Sequence, residues 1–176
     1  MKRIEQENHA RYLTFSTYHQ LPLFNNDQIK DAFVNQLQST REKTGFHLLA
    51  WVIMPEHVHL LIWPKLPEYP VSKVSWTIKR NFAKHVIKRL HELDADILKE
   101  LKTPNAQTRF WQRGGGYDRN IHSQDEINEK ISYIHMNPVR KGLVEQAEVW
   151  TWSSAMWYAG IRDGSIPIDQ IRKPES

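Results

Sequence analysis

Two histidines one residue apart are the first candidates for chemistry: His57 and His59, in the run Met54-Pro55-Glu56-His57-Val58-His59-Leu60-Leu61-Ile62-Trp63. In an extended strand, residues two apart point to one face. The two imidazoles therefore stand side by side, while Val58, Leu60 and Ile62 face the other way. Imidazole is the commonest metal-binding side chain, and a same-face pair is a ready bidentate site. The plain alternative is a pair of polar side chains on an exposed strand face, but two histidines on an otherwise apolar strand need a further reason.

A second cluster is Tyr133-Ile134-His135-Met136-Asn137-Pro138. Tyr133 and Asn137 are four residues apart and share a helical face, on the polar flank of an apolar stripe formed by Ile127, Ile131 and Ile134. A tyrosine hydroxyl there can act as an exposed nucleophile, and an amide oxygen is a hard ligand suited to Mg²⁺ or Mn²⁺. Equally, the tyrosine can pack its ring at the core edge and the asparagine can stop the helix before Pro138.

A third group lies between Lys73 and Arg89, where Lys73, Lys79, Arg80, Lys84, Lys88 and Arg89 occur with no acid among them. Arg80, Lys84 and Lys88 form one helical stripe whose like charges repel, so the counter-charge of a phosphate backbone would relieve it. Trp76 opens the same stripe and can stack a base. Lys73, Trp76, Lys79, Arg80, Lys84 and Lys88 are thus candidate DNA contacts, against the alternative of a solvated helix face. The run Gln112-Arg113-Gly114-Gly115-Gly116-Tyr117-Asp118-Arg119 is not a phosphate-binding glycine loop, because no Lys-Ser/Thr and no helix follow it. It does offer Tyr117 as a rival nucleophile and Asp118 as a further carboxylate.

The elements that must position these groups follow from periodicity. Alternation from Arg11 to Tyr18 predicts a strand, and Asn26 caps a helix with apolar positions Ile29, Ala32, Phe33 and Leu37 that ends at Gly45. His47 to Met54 and His57 to Trp63 read as a hairpin broken by Pro55-Glu56. Val74, Ile78, Phe82, Val86 and Leu90 mark a helix from Ser72 to about Leu93. Residues 94–108 carry no clear period. Arg109 to Gln112 and Tyr117 to Ile121 read as extended, with the three glycines as a turn or flexible loop between them. Ser123 and Glu126 form a capping box for a third helix that Pro138 ends within a residue or two. The order is β-α-β-β-α-β followed by a C-terminal helix that carries the tyrosine. That is an α+β, ferredoxin-like palm with an antiparallel sheet. Residues 1–9 are expected to be disordered, 10–160 to form a single domain, and 161–176 to be a polar C-terminal tail.

Composition narrows the classes. The chain has 176 residues, 24 Lys+Arg against 20 Asp+Glu, and 40% hydrophobic residues, which is ordinary globular usage. No apolar run approaches about 18 residues, so no membrane span is expected. There is no cysteine, which excludes thiolate metal sites, cysteine catalysis and disulfides. Together with a start that lacks an apolar leader, this fits a cytoplasmic protein. A pI near 9.3 suits an anionic partner.

Together, the His57-Val58-His59 and Tyr133-to-Pro138 motifs resemble the HUH superfamily, in particular its single-tyrosine transposases. The segments Arg11 to Phe24, Phe110-Trp111-Gln112, Val139 to Val144 and Trp150-Thr151-Trp152-Ser153-Ser154 resemble the REP-associated tyrosine transposase branch more than the minimal insertion-sequence enzymes. The resemblance covers about residues 10–160. It implies a ferredoxin-like palm, a divalent cation (Mg²⁺ or Mn²⁺), and cleavage of single-stranded DNA beside a folded hairpin. It assigns His57, His59 and Asn137 as metal ligands and Tyr133 as nucleophile. It also implies a 5′-phosphotyrosine, a free 3′-OH and subsequent strand joining, that is, DNA transposition. The minimal enzymes often carry Gln where this chain has Asn137. The family includes dimers and monomers, so a homodimer stays among the expectations. Two other classes compete. One is a non-catalytic single-stranded nucleic-acid binder with the RNA-recognition order of elements, although such a domain displays aromatics where this chain displays histidines. The other is a small-molecule metal hydrolase, which lacks an acidic ligand cluster here.

Overall fold

The structure, a computed structural model, describes residues 9–162 and 166–171. Four strands, β1 (Ala10–Thr17), β2 (His47–Ile53), β3 (His57–Trp63) and β4 (Trp111–Ile121), form one antiparallel sheet in the order β2-β3-β1-β4. Helices α1 (Asp27–Thr44) and α2 (Val71–Glu92) fill the crossovers, and α3 (Gln124–Arg140) follows β4. A short α4 (Ala155–Tyr158) comes last. This is the expected ferredoxin-like α+β palm.

Local chemistry sets the element ends. The Asn26 side chain accepts from the Gln28 and Ile29 amides at the start of α1, and Gly45 takes the left-handed conformation (φ 68°) that closes it. The Ser123 hydroxyl accepts from the Glu126 amide at the start of α3. The Glu126 carboxylate in turn accepts from the His122 amide. Pro138 lies inside α3, which ends two residues later at Arg140.

The sheet divides two cores. Leu13, Phe15, Val58, Leu60 and Ile62 meet α1 and α2 on one face, with Phe24, Phe33, Phe82, Phe110 and Trp111 packed edge-to-face among them. Tyr12, Leu61 and Ile121 meet Ile127 and Ile134 of α3 on the other. The residue alternation of β1 and β3 thus sends one set of side chains to each helical layer.

Three expectations differ from what is found. The three glycines are not a turn or loop: they lie inside one continuous strand, β4. Phe15 pairs with Gly116 and Thr17 with Trp111, so residues 112–115 stand opposite the single residue Ser16 in a wide bulge. Gly114 has φ 67°, a conformation that costs glycine little. Asp118 is no free carboxylate near the histidines. It faces the α1/α2 side, where its Oδ1 accepts from Arg11 Nε at 2.8 Å, with both side chains buried. In the segment expected as a polar tail, Ile166 and Ile168 are buried, and Asp169 exchanges hydrogen bonds with the Leu48 backbone of edge strand β2. The expected disorder over 1–9 lies outside the described residues, apart from His9.

Candidate active site

His57 and His59 come from β3, beside the Pro55-Glu56 turn, and both face α3. Their Nε2 atoms are 3.0 Å apart. Two ring nitrogens aimed at one another at this distance must share a proton or a cation, because two bare lone pairs repel. The far side of each ring is tied down. His57 Nδ1 lies 2.9 Å from the Glu56 carboxylate. His59 Nδ1 lies 2.8 Å from the Tyr12 hydroxyl and 2.9 Å from Thr14 Oγ1. Such contacts hold an imidazole in one orientation and leave Nε2 for a ligand.

Burial sets the charge state. It lowers the pKa of His57 despite the neighbouring Glu56 carboxylate. It pushes that of His59 down to about 3, with the charges of His57 and Arg140 adding to the effect. Both rings are therefore neutral near pH 7, the form that binds metal. Burial also pushes Tyr12 up to about 12, so its hydroxyl keeps its proton. Two oriented, neutral imidazole nitrogens fit a divalent cation. Among the described residues no cluster of three His, Cys, Asp or Glu side chains is placed to hold a metal ion.

Tyr133 projects from α3 onto this pair. Its ring centroid is 5.8 Å from that of His59 and 6.2 Å from that of Tyr12, and the residue is 43% exposed. Two cations flank it: the Arg140 guanidinium 4.2 Å and the Lys130 ammonium 5.5 Å from the ring centroid. Arg140 also donates to the Tyr133 carbonyl at 2.8 Å, which fixes the last turn of the helix around the ring. Asn137 lies one turn further along α3 and is buried.

The structure therefore brings His57, His59 and Tyr133 together. The basic helix is elsewhere. The buried side of α2 packs on the opposite face of the sheet, so Lys73, Trp76, Lys79, Arg80, Lys84 and Lys88 do not line the histidine site. Trp76 is exposed and the Arg80 guanidinium stacks 4.7 Å from its ring centroid, which confirms the shared stripe. Lys79 instead sits over Phe15 and Trp111. Trp76, Lys79 and Arg80 border a groove of about 450 Å³ that Arg109 and Trp111 complete.

Tyr12, Thr14, Glu56, Lys130 and Arg140 carry no distinguishing signal in the sequence alone. Tyr12 and Thr14 do share the period-two face of β1, a pattern that becomes specific only once β1 is known to pair with β3. His135, beside Tyr133 in sequence, points away: its Nε2 is 2.8 Å from Ser154 Oγ, and burial pushes its pKa down to about 4. Because the folded pKa is depressed, the unfolded chain takes up this proton first. The stabilisation is complete above about pH 6.5 and falls away as pH drops toward 4, by up to about 3 kcal/mol. Urea melts between these pH values should show a flatter pH dependence for His135→Gln than for the parent chain; an unchanged slope would contradict the assignment.

Comparison with known proteins bears on the family and the fold. The family model described as "Transposase IS200 like" matches residues 6–137, a span that includes both histidines, Tyr133 and Asn137. The REP-associated tyrosine transposase of Escherichia coli K12 is 32% identical over 126 residues, covering 70% of this chain and 62% of that protein. A Haemophilus influenzae relative is 27% identical over 130 residues, covering 69% and 68% respectively. The chain thus spans about two thirds of these relatives. A solved REP-associated tyrosine transposase bound to a REP hairpin superposes with a TM-score of 0.68 over 100% of this chain and 96% of its own, at 18% identity, a likeness of fold. Among the described residues no helix is long and apolar enough to cross a membrane. With well over half of its length matched by that family model, the chain belongs to the IS200-like transposase family.

Proposed function

We propose that this transposase is a single-strand DNA endonuclease and strand transferase in which Tyr133 is the nucleophile and His57, His59 and Asn137 hold Mg²⁺ or Mn²⁺. The observation that carries this reading is the Tyr133 ring 5.8 Å from that of His59, whose Nε2 converges with that of His57 at 3.0 Å. A bound cation would supply a Lewis acid for a phosphoryl oxygen. Tyr133 Oη attacks a backbone phosphorus and forms a P–O bond while the bond to the 3′ oxygen breaks. The phenol gives up its proton and the 3′ oxygen takes one, leaving a 5′-phosphotyrosine and a free 3′-OH. The new linkage is again a phosphodiester, so a second 3′-OH can reverse the step and join strands. Arg140 and Lys130 lie where they would meet the charge of the phosphate.

Hairpin-bearing single-stranded DNA is the proposed substrate. The fold neighbour bound to a REP hairpin supports it, as does the basic stripe of α2. A non-catalytic binder of the RNA-recognition type is disfavoured, because α3 covers the sheet face on which such a domain stacks its bases. Incubation with a single-stranded hairpin oligonucleotide and Mn²⁺ should yield a denaturant-resistant protein–DNA species. Binding without any such species would contradict the reading. Neutralising Arg80, Lys84 and Lys88 together should lower the slope of log affinity against log salt by about 0.7 for each phosphate no longer neutralised by the helix. An unchanged slope would make the stripe a solvated face.

A further inference from the structure

Tyr117 takes no part in the chemistry above, yet its register aims it at the site. Val52 of β2 pairs with His59 of β3, His59 with Thr14 of β1, and Thr14 with Tyr117 of β4. Directly paired residues share a face of a sheet, so these four form one row across it, on the α3 side. Only Thr14 stands between Tyr117 and His59, a separation of two interstrand spacings, about 10 Å. Thr14 Oγ1 is itself 2.9 Å from His59 Nδ1.

The ring of Tyr117 is presented rather than packed. It meets Tyr12 edge-on with centroids 5.9 Å apart and is 52% exposed. β4 is an edge strand, and the residues before Tyr117 are glycines: a Cβ built on Gly114 would meet nothing within 4 Å, and one on Gly116 only the Thr14 carbonyl at 3.5 Å, an ordinary contact. A strand approaching from this side therefore finds backbone and open space, then an aromatic face. Beyond it lie Tyr12 and Tyr133, with Lys130 over both rings at 5.6 and 5.5 Å. A half-exposed aromatic ring, edge-on to a tyrosine that itself carries a lysine over its face, has the make-up of a base-stacking platform.

We infer that Tyr117 is a stacking platform for a nucleobase flanking the scissile phosphate, set at a fixed distance from His59 by the cross-sheet row through Thr14. This rests on the single-stranded DNA substrate proposed above. The contribution of Tyr117 is its ring, not its oxygen, which separates this role from that of a second nucleophile. The edge strand also lets the ring be changed without opening a core.

The test is affinity for a hairpin oligonucleotide with single-stranded flanks, measured by fluorescence anisotropy with EDTA present so that nothing is cleaved. Tyr117→Phe should bind within about twofold of the parent, and Tyr117→Ala about tenfold more weakly. Abasic sites placed one at a time along the flank should weaken the parent at one position, and that position should cost Tyr117→Ala nothing further. Equal affinity of the alanine variant, equal loss in the phenylalanine variant, or no abasic position coupled to residue 117 would each overturn the inference. Adduct formation is scored separately on the parent chain with Mn²⁺: coupling without any adduct supports the stacking role while contradicting Tyr133 as nucleophile.

Discussion

Tyr133→Phe should abolish the covalent DNA adduct while leaving hairpin affinity within about twofold of the parent chain. The substitution removes one oxygen and keeps the ring. The ring contacts with His59 and Tyr12 and the Arg140 stacking at 4.2 Å all survive, since none of them uses Oη. The hydrogen bond from the Arg140 guanidinium to the Tyr133 backbone carbonyl is untouched as well. Fold and binding surface therefore persist, and the nucleophile alone disappears. A nucleophile has to be held within about 0.5 Å of productive geometry, which a helix seated on Ile127 and Ile134 can do. Tyr117, on an edge strand next to a bulge, is a poorer platform for attack. Persistent adduct from Tyr133→Phe would transfer the role elsewhere and undo the part given to α3.

Loss of one imidazole should be nearly as severe. His57→Ala leaves His59 without its converging nitrogen, and strand cleavage should fall by at least about a thousandfold, since a Lewis acid at the phosphate contributes several kcal/mol to the transition state. Calorimetric titration with Mn²⁺ should lose its site at the same time. His57 lies at the first position of β3 and is partly exposed, so the melting temperature should change little. Glu56→Gln is the milder companion: it keeps a hydrogen-bond acceptor for His57 Nδ1 but removes the charge, and should weaken Mn²⁺ binding by about 10- to 100-fold. Undiminished cleavage by His57→Ala in EDTA would remove the cation from the account.

Most of the palm is legible because its determinants are local. Helix caps such as Asn26, Gly45 and the Ser123–Glu126 box are written in adjacent residues, and the period-two face of β3 is visible in His57-Val58-His59. The features hidden from the sequence depend on partners distant along the chain. The glycines of β4 look like a turn because glycine disfavours strands, yet their strand pairs with β1, about a hundred residues earlier, and the ladder outweighs the local preference. Asp118 looks available until Arg11 is brought opposite to it. The shell of Tyr12 and Thr14 around His59 exists only through the β1–β3 register. The placement of α2 and α3 on opposite faces of the sheet is likewise a property of topology, so the basic stripe and the tyrosine both stand out in the sequence but do not share one site. Ile166 and Ile168 alternate over too few residues to stand out from a polar segment, and only their burial beside β2 marks them as core.

The central claim is that the tyrosine beside the histidine pair makes the bond to DNA. It is tested most directly by isolating the adduct formed with a hairpin oligonucleotide, digesting it with protease and nuclease, and locating the nucleotide-bearing residue by mass spectrometry. The account predicts a single modified peptide carrying a 5′-phosphate linkage on Tyr133. A linkage on Tyr117, on Tyr12 or on any residue outside α3 would contradict it.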